Sequence, residues 1–309
     1  MPAPIIVFPY NRPEHFCRTI QSLRENDLSA VSDLYIYSDG PKDAIAAPGV
    51  ASVRALCSAI TGFRSVSVVE REQNLGPCES FRRGISETLL SHDSAIIFDD
   101  DTICSPQTLT YFNTCLDLYR DRPGVFSITG WCPPPTLLQI TENYPYDIFF
   151  MPRNGSWGWA IWRDRWNMID WDLHDYEQFR RQEVLVRAFA ECGEDLPQML
   201  EAQYTGSINT WDIQICYAQF KHHALTVYPV TSYTANIGLD GSGTHFKEKG
   251  SRFSSELKAV PDIPRLPEHI FVDPAIAAAF RKVYAPPPVW KRAINKIWRA
   301  LFRKNLFMR

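Results

Sequence analysis

The sequence has no CxxC pair, no glycine-rich GxGxxG or Walker loop, and no Ser–His–Asp or Cys–His hydrolase arrangement. Without those loops, kinase and dehydrogenase chemistry lose their usual phosphate cradle. Long apolar runs are also missing, since no segment approaches the roughly 18 apolar residues that cross a bilayer. The first residues carry no charged n-region, and the run 5–8 is too short for the apolar part of a signal peptide. Neither secretion nor a membrane-spanning anchor is therefore expected. Positive charge is not in excess either. A formal net charge of −3 argues against a nucleic-acid partner, which needs a clustered basic surface. The eight cysteines (Cys17, Cys57, Cys78, Cys104, Cys115, Cys132, Cys192 and Cys216) sit mostly in apolar or helical patterns. There free cysteine behaves as a small hydrophobe, so a reducing, cytoplasmic setting is expected.

What is present reads as a globular chain. Its 309 residues are 45% hydrophobic and 22% charged, ordinary values for a folded protein with one large core or two joined lobes. The first third alternates short β-branched runs with helical patterns. Strands are expected over 5–8, 34–37, 66–69 and 95–98, and helices over 13–26, 50–60 and 76–90. Such alternation predicts a mostly parallel sheet with right-handed crossovers. In sheets of that kind, ligands lie at the carboxyl ends of the strands. After about Pro123 the pattern changes, with Pro133-Pro134-Pro135 and tryptophans at 131, 157, 159, 162, 166, 171 and 211.

The sharpest chemical signal is Asp99-Asp100-Asp101, directly after the run Ala95–Phe98. Three adjacent carboxylates repel one another and resist desolvation unless a cation neutralises them. Hard divalent ions, Mn²⁺ or Mg²⁺, take oxygen ligands and share substrate phosphates. The plainer alternative is a solvated turn capping a helix that begins near Pro106. Around Asn154-Gly155-Ser156-Trp157-Gly158-Trp159, glycines permit close backbone approach, and tryptophan faces can stack on sugar rings. A tightly packed core turn reads equally from these residues. A helix starting near Ile161 would aim its amides at the same place. Asp212, beside Trp211, is an acid suited to taking a proton, or else a first-turn helix acid favoured by the macrodipole. Asp170, Asp172 and Asp175 are the substitutes for it. Residues 236–246 form a glycine-rich stretch that ends in His245 and Phe246, and His222-His223 reads as a solvated pair on a helix.

In this order the motifs resemble those of the GT-A glycosyltransferases. The run from Pro4 to Leu118 is similar to their nucleotide-binding half. Asp99-Asp100-Asp101 with Pro106 and Tyr111-Phe112 is closest to the N-acetylglucosaminyltransferase I-like and bacterial family 2-like enzymes. Phe8–Pro13 resembles the loop that holds the nucleotide, Ser38-Asp39-Gly40 the uracil-reading turn, and Asn74-Leu75-Gly76 the loop before the next helix. The resemblance implies a GT-A type α/β fold and a hexosyl- or N-acetylhexosaminyltransferase using a UDP-sugar donor. It further implies Asp101 as metal ligand, with His245 reaching the metal or the β-phosphate. Asp99 and Asp100 would lie at the donor, Phe8, Arg12 and Asn74 at the nucleotide or its phosphates, and Asp39 at the uracil imide. Trp157, Gly158 and Trp159 would line the sugar site, with Asp212 as the base of an inverting transfer.

The implied organisation is a nucleotide-sugar half (1–122), an acceptor-binding half of the same domain (123–250), an irregular wrapping segment (251–288) and a basic amphipathic helix (289–309). In the last, seven basic residues and no acid accompany Trp290, Ile294, Ile297, Trp298, Leu301 and Phe302 at helical spacing. That pattern reads as lying on an anionic membrane, with packing on the chain's own domain as the alternative. An enzyme bound to the inner face of the cell membrane, acting on a glycan or lipid-linked acceptor in surface polysaccharide synthesis, is the resulting expectation. Two rivals stand beside it. A nucleotidyltransferase uses a similar sheet, but Phe8–Pro13 lacks the glycines of its loop. A non-catalytic carbohydrate- or membrane-binding protein explains the tryptophans but gives Asp99–Asp101 no purpose.

Overall fold

The computed structural model describes residues 1–240 and 251–285. In chain order these residues form β1 (Ile5–Phe8), α1 (Pro13–Arg24), β2 (Asp33–Ser38), α2 (Ala47–Cys57), β3 (Ser65–Glu70), α3 (Gly76–Leu89) and β4 (Ser94–Asp99). Next come β5 (Thr102–Cys104), α4 (Thr108–Tyr119), β6 (Val125–Thr129), β7 (Ile148–Met151), β8 (Trp159–Trp162), α5 (Arg163–Trp166) and α6 (Tyr176–Phe179). The series ends with α7 (Glu183–Ala190), α8 (Leu196–Tyr204), α9 (Asp212–Lys221), β9 (Leu225–Pro229), β10 (Thr234–Asn236) and α10 (Pro274–Val283).

Eight strands make one mixed sheet in the order β3-β2-β1-β4-β8-β6-β9-β7, and β10 pairs with β5 in a small second sheet. The pairs from β3 through β4 are parallel; β8 and β7 run against the other six strands. Both faces of the large sheet are covered. Ile5, Val7, Ile96 and Phe98 pack with α1, α2 and α4, whereas Ile6, Phe8, Ala95 and Ile97 pack with α3 and α9. This period-two division explains why the strands read as unbroken apolar runs.

Across the second face runs a ladder of rings. Tyr37 stacks on Phe8 at 5.6 Å between centroids, Phe8 on Phe81 at 4.0 Å, Phe81 on Trp211 at 4.8 Å, and Trp211 on Trp159 at 5.2 Å. Trp166 and Trp171 extend it. The Arg71 guanidinium lies over Tyr37 at one end and that of Arg82 over Trp171 at the other.

The first third of the chain follows the expected elements within a few residues. Further on there are corrections. Ile161 lies in β8, hydrogen-bonded on both sides between β4 and β6, and the helix after it is the single turn α5. No helix terminus is therefore aimed from there. His222 caps α9, and His223 follows it with φ of 50°, outside the helix. Residues 251–288 are not wholly irregular. In α10, capped by the Asp273 carboxylate accepting from the amides of Ala275 and Ile276, Ile276, Phe280 and Val283 bury against Trp131, Phe149 and Tyr228. All eight cysteines are free thiols. Among the described residues, no helix is long and apolar enough to cross a membrane. The tail helix expected over 289–309 lies outside the described residues.

Trp159 is wholly buried. Trp159→Ala should therefore lower the unfolding free energy by about 3–5 kcal/mol, the range for emptying a large aromatic site. Half-buried Trp157→Ala should lose much less; urea denaturation of the two variants makes the comparison.

Candidate functional site

The parallel β1–β4 register sets Phe8 opposite Asp99, so both strands end at one edge of the sheet. Beyond that edge the chain turns through Asp100 and Asp101 into β5. Asp100 and Asp101 are only 3% and 8% exposed, and Thr19 of α1 holds the turn by donating its hydroxyl to the Asp100 carbonyl at 2.9 Å. Arg12, immediately before Pro13 opens α1, supplies the counter-charge. Its Nη2 donates to Asp100 Oδ1 and to Asp101 Oδ2, the latter at 2.7 Å. Burial opposes the Arg12 charge, but the two carboxylates outweigh it and hold the guanidinium above its usual range. The Tyr10 amide donates to Asp100 Oδ2 at 3.2 Å, and the Asn236 side-chain amide to Asp101 Oδ1 at 3.0 Å. All four oxygens of Asp100 and Asp101 thus have a donor.

Asp99 is treated differently. Among the described residues no side chain or amide donates to its carboxylate. Burial, then the charges of Asp101 and Asp100, push it well above the usual carboxylate range; Arg12 opposes this, and Asp212 adds to it. Asp212 comes from a different element. It is the first residue of α9, and Thr210 Oγ1 donates to its Oδ1. Trp211, fixed between Phe81 and Trp159, anchors this turn, and the Cys78 thiol donates to the Thr210 carbonyl at 3.4 Å. The ring ladder in this way carries Asp212 to the edge where β4 ends. Asp170 and Asp175 are engaged elsewhere, the first by His174 and the second by Lys221 and Tyr217.

Asp39 and Asn74 form a second network. Asp39 Oδ1 accepts from the amides of Gly40 and Leu75, both at 2.9 Å, and Oδ2 from the Gly76 amide at 2.9 Å and Asn74 Nδ2 at 3.1 Å. The carboxylate thus fills the N-terminus of α3, where the helix dipole favours it. A uracil imide would have to share an oxygen with these donors. Tyr10 joins the two networks, because its hydroxyl accepts from the Lys42 amide at 2.9 Å while its own amide holds Asp100. Nothing local in the sequence singles out Tyr10 or Asn236, whose part in the site lies in contacts across the fold.

The aromatic candidates separate. Phe8 is a rung of the ladder, 7% exposed, and Trp159 is buried in the same core, so neither ring faces a ligand. Gly158 needs its glycine: φ is +72°, and a Cβ would press on Thr234. Trp157 is half-buried, sits edge-on to Trp131, and accepts the Thr234 hydroxyl at its carbonyl at 2.6 Å. It borders the strand that reaches Asp101. The glycine-rich stretch is pinned at its start, because β10 pairs with β5 and the Ile237 amide donates to the Asp101 carbonyl at 2.8 Å. His245 lies outside the described residues.

An oxygen-only set with three carboxylates against one guanidinium fits a hard divalent cation in charge and donor type. Its present arrangement does not gather ligands: among the described residues, no three His, Cys, Asp or Glu side chains are grouped to hold an ion.

No protein-family model matches the chain, and no curated protein matches it. Solved structures similar to it include TarS of S. aureus, with 11% identity over 76% of this chain and 36% of that one and a TM-score of 0.43. The 1–349 form of TarS gives 11% identity, 78% and 62% coverage and a TM-score of 0.45. A third is the mannosyltransferase PcManGT of Pyrobaculum calidifontis in complex with GDP-Man and Mn²⁺, at 14% identity, 71% and 76% coverage and a TM-score of 0.39. The chain spans about a third of the longer TarS structure and less than two thirds of the shorter. Superpositions this loose carry no functional inference.

Replacing the counter-charge should split two affinities. Arg12→Met is expected to bind Mn²⁺ alone more tightly by several-fold, since nothing competes for Asp100 and Asp101, and to bind UDP with Mn²⁺ more weakly. Titration calorimetry reads both; a variant weakened in both would show that Arg12 holds the turn together instead.

Proposed function

We propose that the chain is a glycosyltransferase of the GT-A type, moving a sugar from a UDP-sugar to an acceptor hydroxyl with inversion. The observation that carries this reading is the anchoring of Trp211, next to Asp212, on Trp159, which pairs with Ile97 of β4 two residues before the Asp99–Asp101 turn. An acidic turn alone is common. One supported by a counter-ion, with a further acid delivered from a helix start, has the parts that sugar transfer needs.

In this reading Asp101 would hold a divalent cation, Mn²⁺ or Mg²⁺, with Asp99 near the donor sugar, and the cation would supply neutralisation of the leaving diphosphate, an effect worth several kcal/mol. Arg12 places its guanidinium, freed from Asp100 and Asp101, against the phosphates, for which its planar fork is well matched. Asp212 accepts the proton of the acceptor hydroxyl as that oxygen attacks the anomeric carbon from the face opposite the nucleotide. Thr210 fixes the orientation of the Asp212 carboxylate through Oδ1, leaving Oδ2 for the acceptor. The rigid ladder beneath Trp211 keeps that oxygen in place, as proximity catalysis requires. Trp157 borders the acceptor side, while the burial of Trp159 and Phe8 weighs against a purely sugar-stacking, non-catalytic role. The acceptor is a glycan or lipid-linked hydroxyl of surface polysaccharide synthesis, reached from the inner face of an anionic membrane through residues 289–309.

Two isosteric changes test the roles separately. Asp101→Asn should abolish both transfer and Mn²⁺-dependent UDP binding with the fold intact. Asp212→Asn should keep nucleotide binding and lose turnover by about 10²–10⁴-fold, the range for a general base. Donor hydrolysis and UDP titrations distinguish the two, and a loss under tenfold for Asp212→Asn moves the base elsewhere. Removing residues 289–309 should release the protein from anionic vesicles while donor hydrolysis continues; sedimentation of the shortened chain with those vesicles would reject the membrane role.

A further inference from the structure

The segment from Thr234 to Asp240 crosses the edge where the carboxylates gather. It is tied down by β10 pairing, with Asn236 opposite Thr102, and by the Ile237 amide on the Asp101 carbonyl at 2.8 Å. Farther along, an Asp240 carboxylate oxygen lies 3.2 Å from His15 Nε2 of α1. The backbone of this strap lies against the site itself: a Cβ at Gly238 would overlap Asp101 Oδ2 and come within 2.9 Å of Arg12 Nη1. Only glycine allows the chain to pass there.

We infer that Asn236 is a positioning residue for Asp101, setting which carboxylate oxygen faces the cation and the donor phosphates. The inference rests on the glycosyl-transfer reading of the same site. The Asn236 side chain has one orientation consistent with its neighbours. The Gly238 amide, which can only donate, approaches the Asn236 oxygen at 2.8 Å. The Asn236 nitrogen is therefore the atom that meets Asp101 Oδ1 at 3.0 Å. Donation into Oδ1 fixes the carboxylate plane and turns Oδ2 toward Arg12. A neutral amide does this without cancelling the charge on Asp101, which a lysine or arginine in its place would do. Groups that orient a ligating carboxylate in this manner typically matter by about 10–100-fold in metal affinity or activity.

The test compares UDP affinity with Mn²⁺ and with chelator, by calorimetry, in the full chain and in Asn236→Leu, which is close in size and cannot donate. Asn236→Ala is a second variant should the leucine not fold, and thermal unfolding is followed for both. The expected result is a fall of about 10–100-fold in affinity with Mn²⁺ and no change with chelator, with a modestly lower melting temperature because the Gly238 amide and Asp101 Oδ1 lose their partner. A merely structural residue would instead lower the affinity with chelator as much as that with Mn²⁺, and that outcome overturns the inference. Unchanged affinity with Mn²⁺ overturns it as well. If the unaltered chain gains no UDP affinity from Mn²⁺, the cation-dependent reading of the site fails first, and the role of Asn236 goes with it.

Discussion

Three carboxylates on consecutive residues at the end of a buried strand repel one another, and much of the surrounding structure answers that repulsion. Arg12 comes from the loop after β1, Tyr10 offers an amide from the same loop, and Asn236 comes from the far end of the chain. Each donor is held by an element that has another task in the fold. Arg12 leads into α1, which itself binds the Asp100 carbonyl, and Asn236 belongs to the strand paired with β5. Asp99 has no donor among the described residues, and burial together with the charges of Asp101 and Asp100 pushes it well above the usual carboxylate range.

The parts legible in the sequence are those governed by local pattern. The apolar runs of β1, β2 and β4 and the helices between them have clean periods, and their parallel order follows from alternation alone. The second half follows different rules. β8 inserts between β4 and β6 although some thirty residues separate it from β6 in the chain, and its four residues are too short for periodicity to tell strand from helix. Ile276, Phe280 and Val283 of α10 are helically spaced, yet the alanines between them and the flanking prolines mask the signal. The tryptophans mislead for a physical reason: a ring that can stack on a sugar can equally stack on another ring, and composition does not say which. Trp159 took the second course.

The same contrast holds at the site. Asp99–Asp101 and Asp212 are visible because acids after a strand and beside a tryptophan are locally unusual. That Arg12 spans Asp100 and Asp101 was not visible, since its reach is set by where β1 and β4 lie side by side. Asp39 was legible as a turn residue, and the turn is what its four donors serve. Asn236 is hidden because nothing local to the glycine-rich stretch shows that its one amide side chain meets Asp101.

The ring ladder also gives the protein an optical property. Trp211 and Trp159 lie 5.2 Å apart with their planes 19° from parallel, and Trp166 and Trp171 are 4.7 Å apart. Indoles held so close in fixed geometry couple their electronic transitions, producing near-ultraviolet dichroism far stronger than isolated tryptophans give. Because Trp211 immediately precedes Asp212, any event that tilts the start of α9 tilts one member of the coupled set. The folded chain thus carries its own chromophore beside the start of α9, readable without a label.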